Sequence, residues 1–201
     1  MAQFTKKEIA LIKKLNTPAK VQDYLNSLKF NFEKDGATLR SPLFVMRSGG
    51  AHCMEGALLG AYILSLHGFK PYVMCLKATK RDYDHVVTPF KIGRFWGALS
   101  KTNHAVLRYR EPIYKNIREL AMSYFHEYFL DNGSKTLRKY SKLLNLNTFE
   151  KNWAVIESDL WGIDQELDKI KYYNMLPKHF KRLRRADKVE IKAGKIVEYR
   201  K

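Results

Sequence analysis

The chain has 201 residues, 45% of them hydrophobic and 28% charged, which is typical of one globular domain spanning 1–201 rather than of a disordered protein. Its start is charged too early for a signal peptide, and its longest strongly apolar run, 56–66, is too short to cross a bilayer. We therefore expect a cytoplasmic protein without a membrane partner. The net charge of +17 indicates attraction to an acidic partner or to nucleic acid.

The chain begins with two predicted helices. Thr5 and Glu8 have the spacing of a capping box, in which each side chain bonds the backbone N–H of the other, and they predict a helix over 6–15. Thr17 followed by Pro18 starts a second helix, because proline is favoured at the first helical position.

A polar loop over 34–42 precedes a third, buried helix. From Cys53 onward the chain is apolar on nearly every side until Gly68, a residue type that commonly ends helices. A helix without a polar face must be surrounded by other elements. We therefore expect it at the centre of the fold.

Short segments rich in β-branched and aromatic residues follow the central helix and predict an antiparallel sheet. They are 71–79, 84–92 and 95–100. Pro89 has no N–H to donate, which indicates an edge or a bulge in the second strand. Residues 104–110 form either a fourth strand or the lead-in to the next element.

The last part of the chain returns to helical spacing. Apolar residues three or four positions apart predict a helix of about five turns from Pro112 to Tyr128 and another over 150–171. The alternating segment 188–199 predicts a hairpin that turns at Ala193-Gly194. This order of elements fits an α+β domain, with a central helix on a small antiparallel sheet and added helices at both ends.

This C-terminal region is also the most basic part of the chain. Residues 171–201 contain eleven Lys or Arg and three Asp or Glu, and the densest block is 178–188. The block is either a solvated surface or a binding surface. No recognised nucleic-acid-binding motif accompanies it.

The cysteines are Cys53 and Cys75. A count of two leaves one disulfide open, but the cytosol keeps thiols reduced, and no Cys-x-x-Cys pair or Cys/His spacing indicates a metal site. Cys75 lies in an apolar strand segment and is expected in the core.

Cys53 stands where a thiol can be activated. As the first residue of a helix it meets the positive end of the helix dipole and unpaired N–H groups, which favour a thiolate and can hold an oxyanion. Gly49 and Gly50 before it allow a close approach of backbone or of an acyl group. The competing interpretation is a small buried hydrophobe, the usual role of a lone cysteine at such a position.

A nucleophilic cysteine needs a base and a group that orients the base. His52 is a poor candidate, because neighbours in sequence point in different directions. His85 begins the second predicted strand, which can lie against the start of the central helix. Ser100 and Asn103 follow the third strand and could orient His85, and His104 is a second-choice base.

At these residues the sequence resembles the transglutaminase-like superfamily of papain-type cysteine enzymes. The matching features are a glycine-containing loop before Cys53, an acid at Glu55, and an apolar helix ending in HGFKPYVM (67–74). They continue with His85 in HVVTPF and with the strand FWGALSKT (95–102). The segment that follows is similar to an uncharacterised bacterial subgroup of that superfamily.

The resemblance covers about 38–110, flanked by helices over 1–37 and by helices and a hairpin over 111–201. It implies a cysteine enzyme of the peptidase, amidase or deamidase type that needs no cofactor and acts on a peptide or a small amide or ester. The orienting acid of the family falls on Ser100, which carries no charge, so Asn103 is the other candidate for that role.

The cleft that this resemblance implies is bordered by Gly50, His52, Glu55 and Trp96. A second hypothesis comes from the charge alone. In it, the same scaffold is weakly active or inactive and binds an acidic partner or nucleic acid through its basic surface.

Overall fold

The computed structural model describes residues 2–180 and 182–200. Its helices, α1 to α7, are Lys6–Lys14, Pro18–Ser27, Pro42–Ser48, Cys53–Ser65, Ile117–Met122, Trp161–Lys169 and Lys188–Gly194. Its strands, β1 to β9, are Lys29–Phe30, Gly50–Ala51, Tyr72–Lys77, His85–Ile92, Phe95–Leu99, Arg110–Tyr114, Lys139–Ser141, Leu144–Asn145 and Tyr172–Asn174.

The main sheet is antiparallel, so the α+β class predicted from the sequence is confirmed. Its strand order is β6-β5-β4-β3-β7-β9, with β8 paired to the beginning of β3. Strands β1 and β2 form a separate parallel pair. Because β4 starts and β5 ends at the same end of the sheet, the residues at these two positions lie close together.

The sheet is covered on both faces. Alternate residues of a strand point to opposite sides, so neighbouring residues of β3 belong to different core clusters. On one face, Val73 and Cys75 of β3 pack with α4 and with residues around α6. On the other face, Met74 and Leu76 pack with α5 and the 3₁₀ helix Phe125–Glu127. A further cluster joins α4 to α1 and α2. Helix α4 is therefore the central helix that the sequence predicts.

The N-terminal helices form where their capping residues predict them. Thr5 and Glu8 make both bonds of the capping box of α1. Thr17 caps α2 by accepting from the Lys20 N–H at 3.3 Å, and Pro18 is its first residue. The short helix α3 and strands β7 to β9 were not predicted.

Helix α4 is capped by His52 and begins at Cys53. It ends three residues before Gly68, whose φ of +87° is a backbone conformation that glycine adopts most readily. Ten of its residues are buried. No helix in the described part of the chain is both long and apolar enough to span a bilayer.

The three predicted strands after α4 are confirmed as β3, β4 and β5. The bulge that was one expectation for Pro89 is not found, because Pro89 pairs with Ala98 of β5 in regular register. The other expectation, an edge, holds on one side only, because β4 continues beyond its pairing with β3. In the described residues the register with β3 ends at Val87, so the missing N–H of Pro89 interrupts no pairing on that side.

The predicted helix from Pro112 to Tyr128 is wrong in its first third and is broken afterwards. Residues 104–109 form a lead-in, and β6 then carries Pro112 at the edge of the sheet, where a missing N–H is tolerated. The side chain of Asn116 accepts from the Glu119 N–H at 2.9 Å and starts α5, which ends at Met122.

The predicted helix over 150–171 is also interrupted. Residues Trp153–Val155 form a 3₁₀ helix, a loop follows, and α6 starts only at Trp161. The loop is fixed to the rest of the fold, because the carboxylate of Asp159 accepts from the Leu39 N–H at 2.8 Å.

The predicted hairpin over 188–199 is wrong. Asp187 and Glu190 form a capping box, and this starts helix α7 where alternation predicts a strand. The residues after α7 pass beside 103–105, with Val197 bridged to His104 and backbone hydrogen bonds on either side of the bridge. Residues 196–199 therefore lie next to the loop that follows β5.

Candidate active site

Cys53 lies at the floor of a cleft of about 780 Å³, a volume typical of small-ligand sites. The cleft extends from the start of α4 across the start of β4 to the loop after β5. The thiol is partly buried at the N-terminus of α4, where the first N–H groups have no partner within the helix.

His52 lies against Cys53, although neighbours on a helix diverge. As the N-cap it has extended backbone angles, φ −87° and ψ −176°, so its ring turns back over the first turn of α4. Its Nε2 lies 2.8 Å from the Thr38 carbonyl, and its Nδ1 lies 3.3 Å from the Met54 N–H. In the neutral ring Nε2–H donates to the Thr38 carbonyl, and Nδ1 accepts from the Met54 N–H.

The surroundings of Cys53 favour its ionised form. Burial by itself raises the pKa of Cys53, but hydrogen bonds from His52 and His85 and the charges of both rings lower it to about 5. Burial lowers the pKa of His52, but its bond to Cys53 and the charges of Cys53 and Glu55 raise it to about 9. Near neutral pH these groups form a thiolate–imidazolium pair.

His85 is held by Ser100, and this contact fixes its tautomer. The Ser100 hydroxyl donates its proton to the Leu107 carbonyl, so its oxygen must accept from Nε2–H of His85, 2.8 Å away. In the neutral imidazole, Nδ1 is then the unprotonated nitrogen. The ring thus presents a proton acceptor to Cys53.

Leu107 is held in a strained conformation, with φ +62°. Its carbonyl accepts from Ser100, while its N–H donates to Glu127 Oε2 at 2.8 Å. The same Glu127 oxygen accepts from Arg110 Nη2 at 2.6 Å. These hydrogen bonds hold the Leu107 carbonyl in place, and through it the Ser100 hydroxyl that orients His85. The periodicity of the sequence could not have predicted these hydrogen bonds.

Asn103 makes its hydrogen bonds to the end of the chain and not to His85. Its Nδ2 donates to the Tyr199 carbonyl at 2.8 Å, and its Oδ1 accepts from the Tyr199 N–H at 2.7 Å. The nearby His104 bonds the Gly194 carbonyl through Nδ1 at 3.0 Å. Of the two candidate orienting residues, the structure therefore brings Ser100 to His85.

Glu55 lies beneath the cleft and does not line it. Its carboxylate is fully buried and accepts from Arg40 Nε at 2.7 Å, from Asn31 and Thr38, and from the His52 N–H at 3.2 Å. These donors lower its pKa to about 2 against the effect of burial, which raises it. Glu55 thus fixes the N-cap of α4.

The other residues assigned to the cleft from the sequence are distributed differently. Gly50, in β2, bonds Arg40 Nη2 through its carbonyl at 3.2 Å, and it does not line the cleft. Trp96 borders a separate hollow at the far end of α4, with Tyr72 and Lys91.

Cys75 is a buried free thiol, as expected of a core residue. In the described ranges no three metal-ligating side chains come together.

Sequence reasoning missed Lys101, which lines the cleft but is only 1% exposed. Its side chain lies against Gly56 of α4, and its ammonium group donates to the Leu28 carbonyl. Burial lowers the pKa of Lys101 to about 8. A lysine in a polar loop sequence is normally exposed, so nothing in the pattern could have indicated this position.

Comparison with known proteins adds little to this geometry. No family model matches the chain, and no curated protein matches it. Among solved structures the chain is similar to LapG of Legionella pneumophila in its EGTA-treated form. The two share 15% sequence identity and a TM-score of 0.41, over 80% of this chain and 83% of that one.

Proposed function

We propose that the protein is a cysteine-dependent acyl-transfer enzyme of the hydrolase type, with Cys53 as the nucleophile. The observation that carries this proposal is that Cys53, the first residue of α4, lines one cleft together with His52 and His85, whose rings lower the pKa of its thiol. The order of Cys53, His85 and a polar residue after the next strand is also the order on which the resemblance to the transglutaminase-like superfamily rests.

In this proposal the thiolate attacks the carbonyl carbon of an amide or ester. N–H groups at the start of α4 stabilise the negative charge on the oxygen. His85, which takes up the proton when the Cys53 thiol ionises, gives that proton to the leaving amine or alkoxide, and the acyl group stays on Cys53 as a thioester. A water molecule then loses a proton to the same ring and attacks the thioester, which releases the acid and restores the thiolate.

The two histidines have different tasks in this scheme. His85 moves the proton, because Ser100 fixes one of its nitrogens and leaves the other free. His52 stabilises the thiolate from the N-cap position. Since Ser100 supplies no negative charge, the imidazolium is stabilised less than by a carboxylate, and we expect slow turnover.

The rate of alkylation of Cys53 by iodoacetamide between about pH 4 and 10 tests the activated thiol. Iodoacetamide reacts with the thiolate, and a thiol with a lowered pKa forms the thiolate at lower pH. The alkylation rate should therefore rise through about pH 5 and level off at higher pH. His85→Ala and His52→Ala should each move this midpoint up by about one unit or more.

Two internal controls accompany this measurement. Burial raises the pKa of Cys75 to about 12, so its thiol should stay unreactive. His67→Ala, at the other end of α4, should leave the midpoint unchanged. A Cys53 midpoint near the ordinary thiol value of about 8.5 in every variant would contradict the proposal.

Acyl transfer itself is tested with p-nitrophenyl acetate and mass spectrometry. An acetyl group should appear on Cys53 within the first turnover and then disappear by hydrolysis. Because His85 activates the water, His85→Ala should retain the acetyl group for longer. Acetylation confined to lysine side chains would exclude Cys53 as the nucleophile.

A further inference from the structure

The cleft beside Cys53 is charged differently from the rest of the molecule. Its lining includes five carboxylates and one lysine, whereas the chain as a whole has 37 Lys and Arg against 20 Asp and Glu. The carboxylates belong to Glu33, Asp82, Asp84, Glu127 and Asp131. An acidic cleft thus opens on the surface of a strongly basic protein.

Most of this negative charge is not neutralised inside the molecule. Glu127 is paired with Arg110 at 2.6 Å, and Glu33 Oε1 lies 3.9 Å from Nε2 of His52, whose ring is an imidazolium near neutral pH. Within the described ranges the other three carboxylates, of Asp82, Asp84 and Asp131, make no ion pair. Asp82 and Asp84 are held by backbone N–H groups at 2.9 and 2.8 Å, which fix the carboxylates without cancelling their charge.

Lys101 does not balance the charge of the lining. Its side chain is almost fully buried, and its ammonium group is turned onto the Leu28 carbonyl beneath the surface. A ligand that enters the cleft therefore meets more negative than positive charge.

The rim of the cleft already accommodates a segment of backbone that pairs with it. The Ala105 N–H donates to the Ile196 carbonyl at 3.0 Å, and the Glu198 N–H donates to the Asn103 carbonyl at 2.9 Å. This segment comes from the most basic region of the chain, and Gly194 just before it lines the cleft. A basic, extended polypeptide is thus compatible with the shape and charge of this rim.

From these observations we propose that the cleft binds an extended, positively charged polypeptide segment, and that the acyl group presented to Cys53 comes from a Lys- or Arg-rich chain. The proposal rests on the function proposed above for Cys53. It reverses the expectation from net charge, which favours acidic ligands. Salt screens charges beyond about 8 Å, so a ligand inside the cleft is affected more by the carboxylates that line it than by cations elsewhere on the surface.

Charged thiol reagents test the sign of the potential at Cys53 independently of any enzymatic activity. Three methanethiosulfonates share one reactive group and carry a trimethylammonium, a sulfonate or a methyl group. We expect the cationic reagent to modify Cys53 faster than the anionic one, relative to the same ratio for N-acetylcysteine, and added salt to reduce the difference.

The variants Asp131→Asn and Glu33→Gln should each lower this ratio by about threefold at low salt, because each removes one negative charge from the lining of the cleft. Glu157→Gln, an exposed acid that does not line the cleft, should leave it unchanged. A ratio at or below that of N-acetylcysteine overturns the proposal.

A binding measurement tests the ligand itself. A fluorescein-labelled peptide of alternating Lys and Ala should bind the Cys53→Ala protein more tightly than the same peptide with Glu in place of Lys, and Asp131→Asn should weaken it. Tighter binding of the Glu peptide overturns the proposal. If the neutral reagent modifies Cys53 no faster than Cys75, the proposed function fails instead, while the peptide comparison still decides the charge preference.

Discussion

The hydroxyl of Ser100 has two partners, and each constrains the other. Its only proton goes to the Leu107 carbonyl, so its oxygen is available to His85 as an acceptor. A carboxylate in that place would both fix the tautomer and stabilise the imidazolium. The hydroxyl of Ser100 fixes the tautomer of His85, but it does not stabilise the imidazolium.

Removing the hydroxyl should therefore disturb proton transfer more than thiol ionisation. We expect Ser100→Ala to lower the rate of acetyl transfer from p-nitrophenyl acetate by about ten- to a hundredfold, because His85 loses its fixed tautomer. The Cys53 alkylation midpoint should move less than in His85→Ala. Ser100→Thr, which retains the hydroxyl, should recover most of the rate. Equal rates of acetyl transfer in Ser100→Ala and in the unmodified protein would show that Ser100 has no role in the reaction.

The residues of the site differ in how far the sequence could predict them. Cys53 and His85 are marked by their places at the start of a helix and of a strand, and the structure brings them together. His52 was set aside because helical geometry was applied to an N-cap, whose backbone is extended. The bonds of Asn103 depend on a segment about a hundred positions later, which no local pattern reports.

At the scale of elements, capping residues predicted better than the spacing of apolar residues. Thr5 and Thr17 marked the true starts of α1 and α2. In contrast, Leu120, Tyr124 and Tyr128 have helical spacing because they share one core cluster, although the backbone between them changes from an α-helix to a 3₁₀ helix. Periodicity reports which side chains are buried and does not require a continuous helix to bury them.

The hairpin predicted near the C-terminus failed for a related reason. An alternation of apolar and polar residues indicates a strand only when one face of that strand is buried. The apolar residues Val189 and Ile196 of this segment remain 72% and 61% exposed to solvent. The spacing of Asp187 and Glu190 was the stronger local signal, because a capping box satisfies N–H groups that a new helix would otherwise leave unpaired.

Helix α4 reaches the sheet closely because of its glycines, and this yields a stability prediction. A Cβ at Gly56 would overlap the Cβ of Lys101, which the backbone fixes in place. We expect Gly56→Ala to destabilise the protein by about 1–3 kcal/mol in urea unfolding, despite the better helix propensity of alanine.

Gly162 in α6 is the matched control, since a Cβ there meets nothing within 4 Å. Gly162→Ala should be neutral or stabilise the protein by up to about 1 kcal/mol. If both substitutions stabilise the protein, the contact between α4 and Lys101 is looser than described.

At the scale of the whole molecule, the two ends of the candidate active-site region are far apart in sequence. The loop after β5 is held by residues near position 199, so the C-terminal segment forms part of the wall around the cleft. For the basic surface outside the cleft, the prediction made from composition is unchanged. We expect this surface to bind an acidic partner or nucleic acid, with an affinity that weakens steeply as salt is added.

Asn103→Ala should release this C-terminal segment without unfolding the core. The variant loses two hydrogen bonds of about 1 kcal/mol each, so hydrogen exchange at Tyr199 and Glu198 should accelerate by about tenfold or more. The exposed Asn174→Ala serves as the control and should leave exchange at these amides unchanged. Unchanged exchange in Asn103→Ala would show that the segment is held by other contacts.

The two thiols of this chain differ in pKa by about seven units, from about 5 for Cys53 to about 12 for Cys75. At neutral pH these values make Cys53 the ionised thiol and leave Cys75 protonated. Peroxide reacts with thiolates, so oxidative damage to this protein begins at one sulfur, as a sulfenic acid on Cys53. The ionised thiol that the proposed acyl transfer requires would also make the molecule sensitive to oxidants.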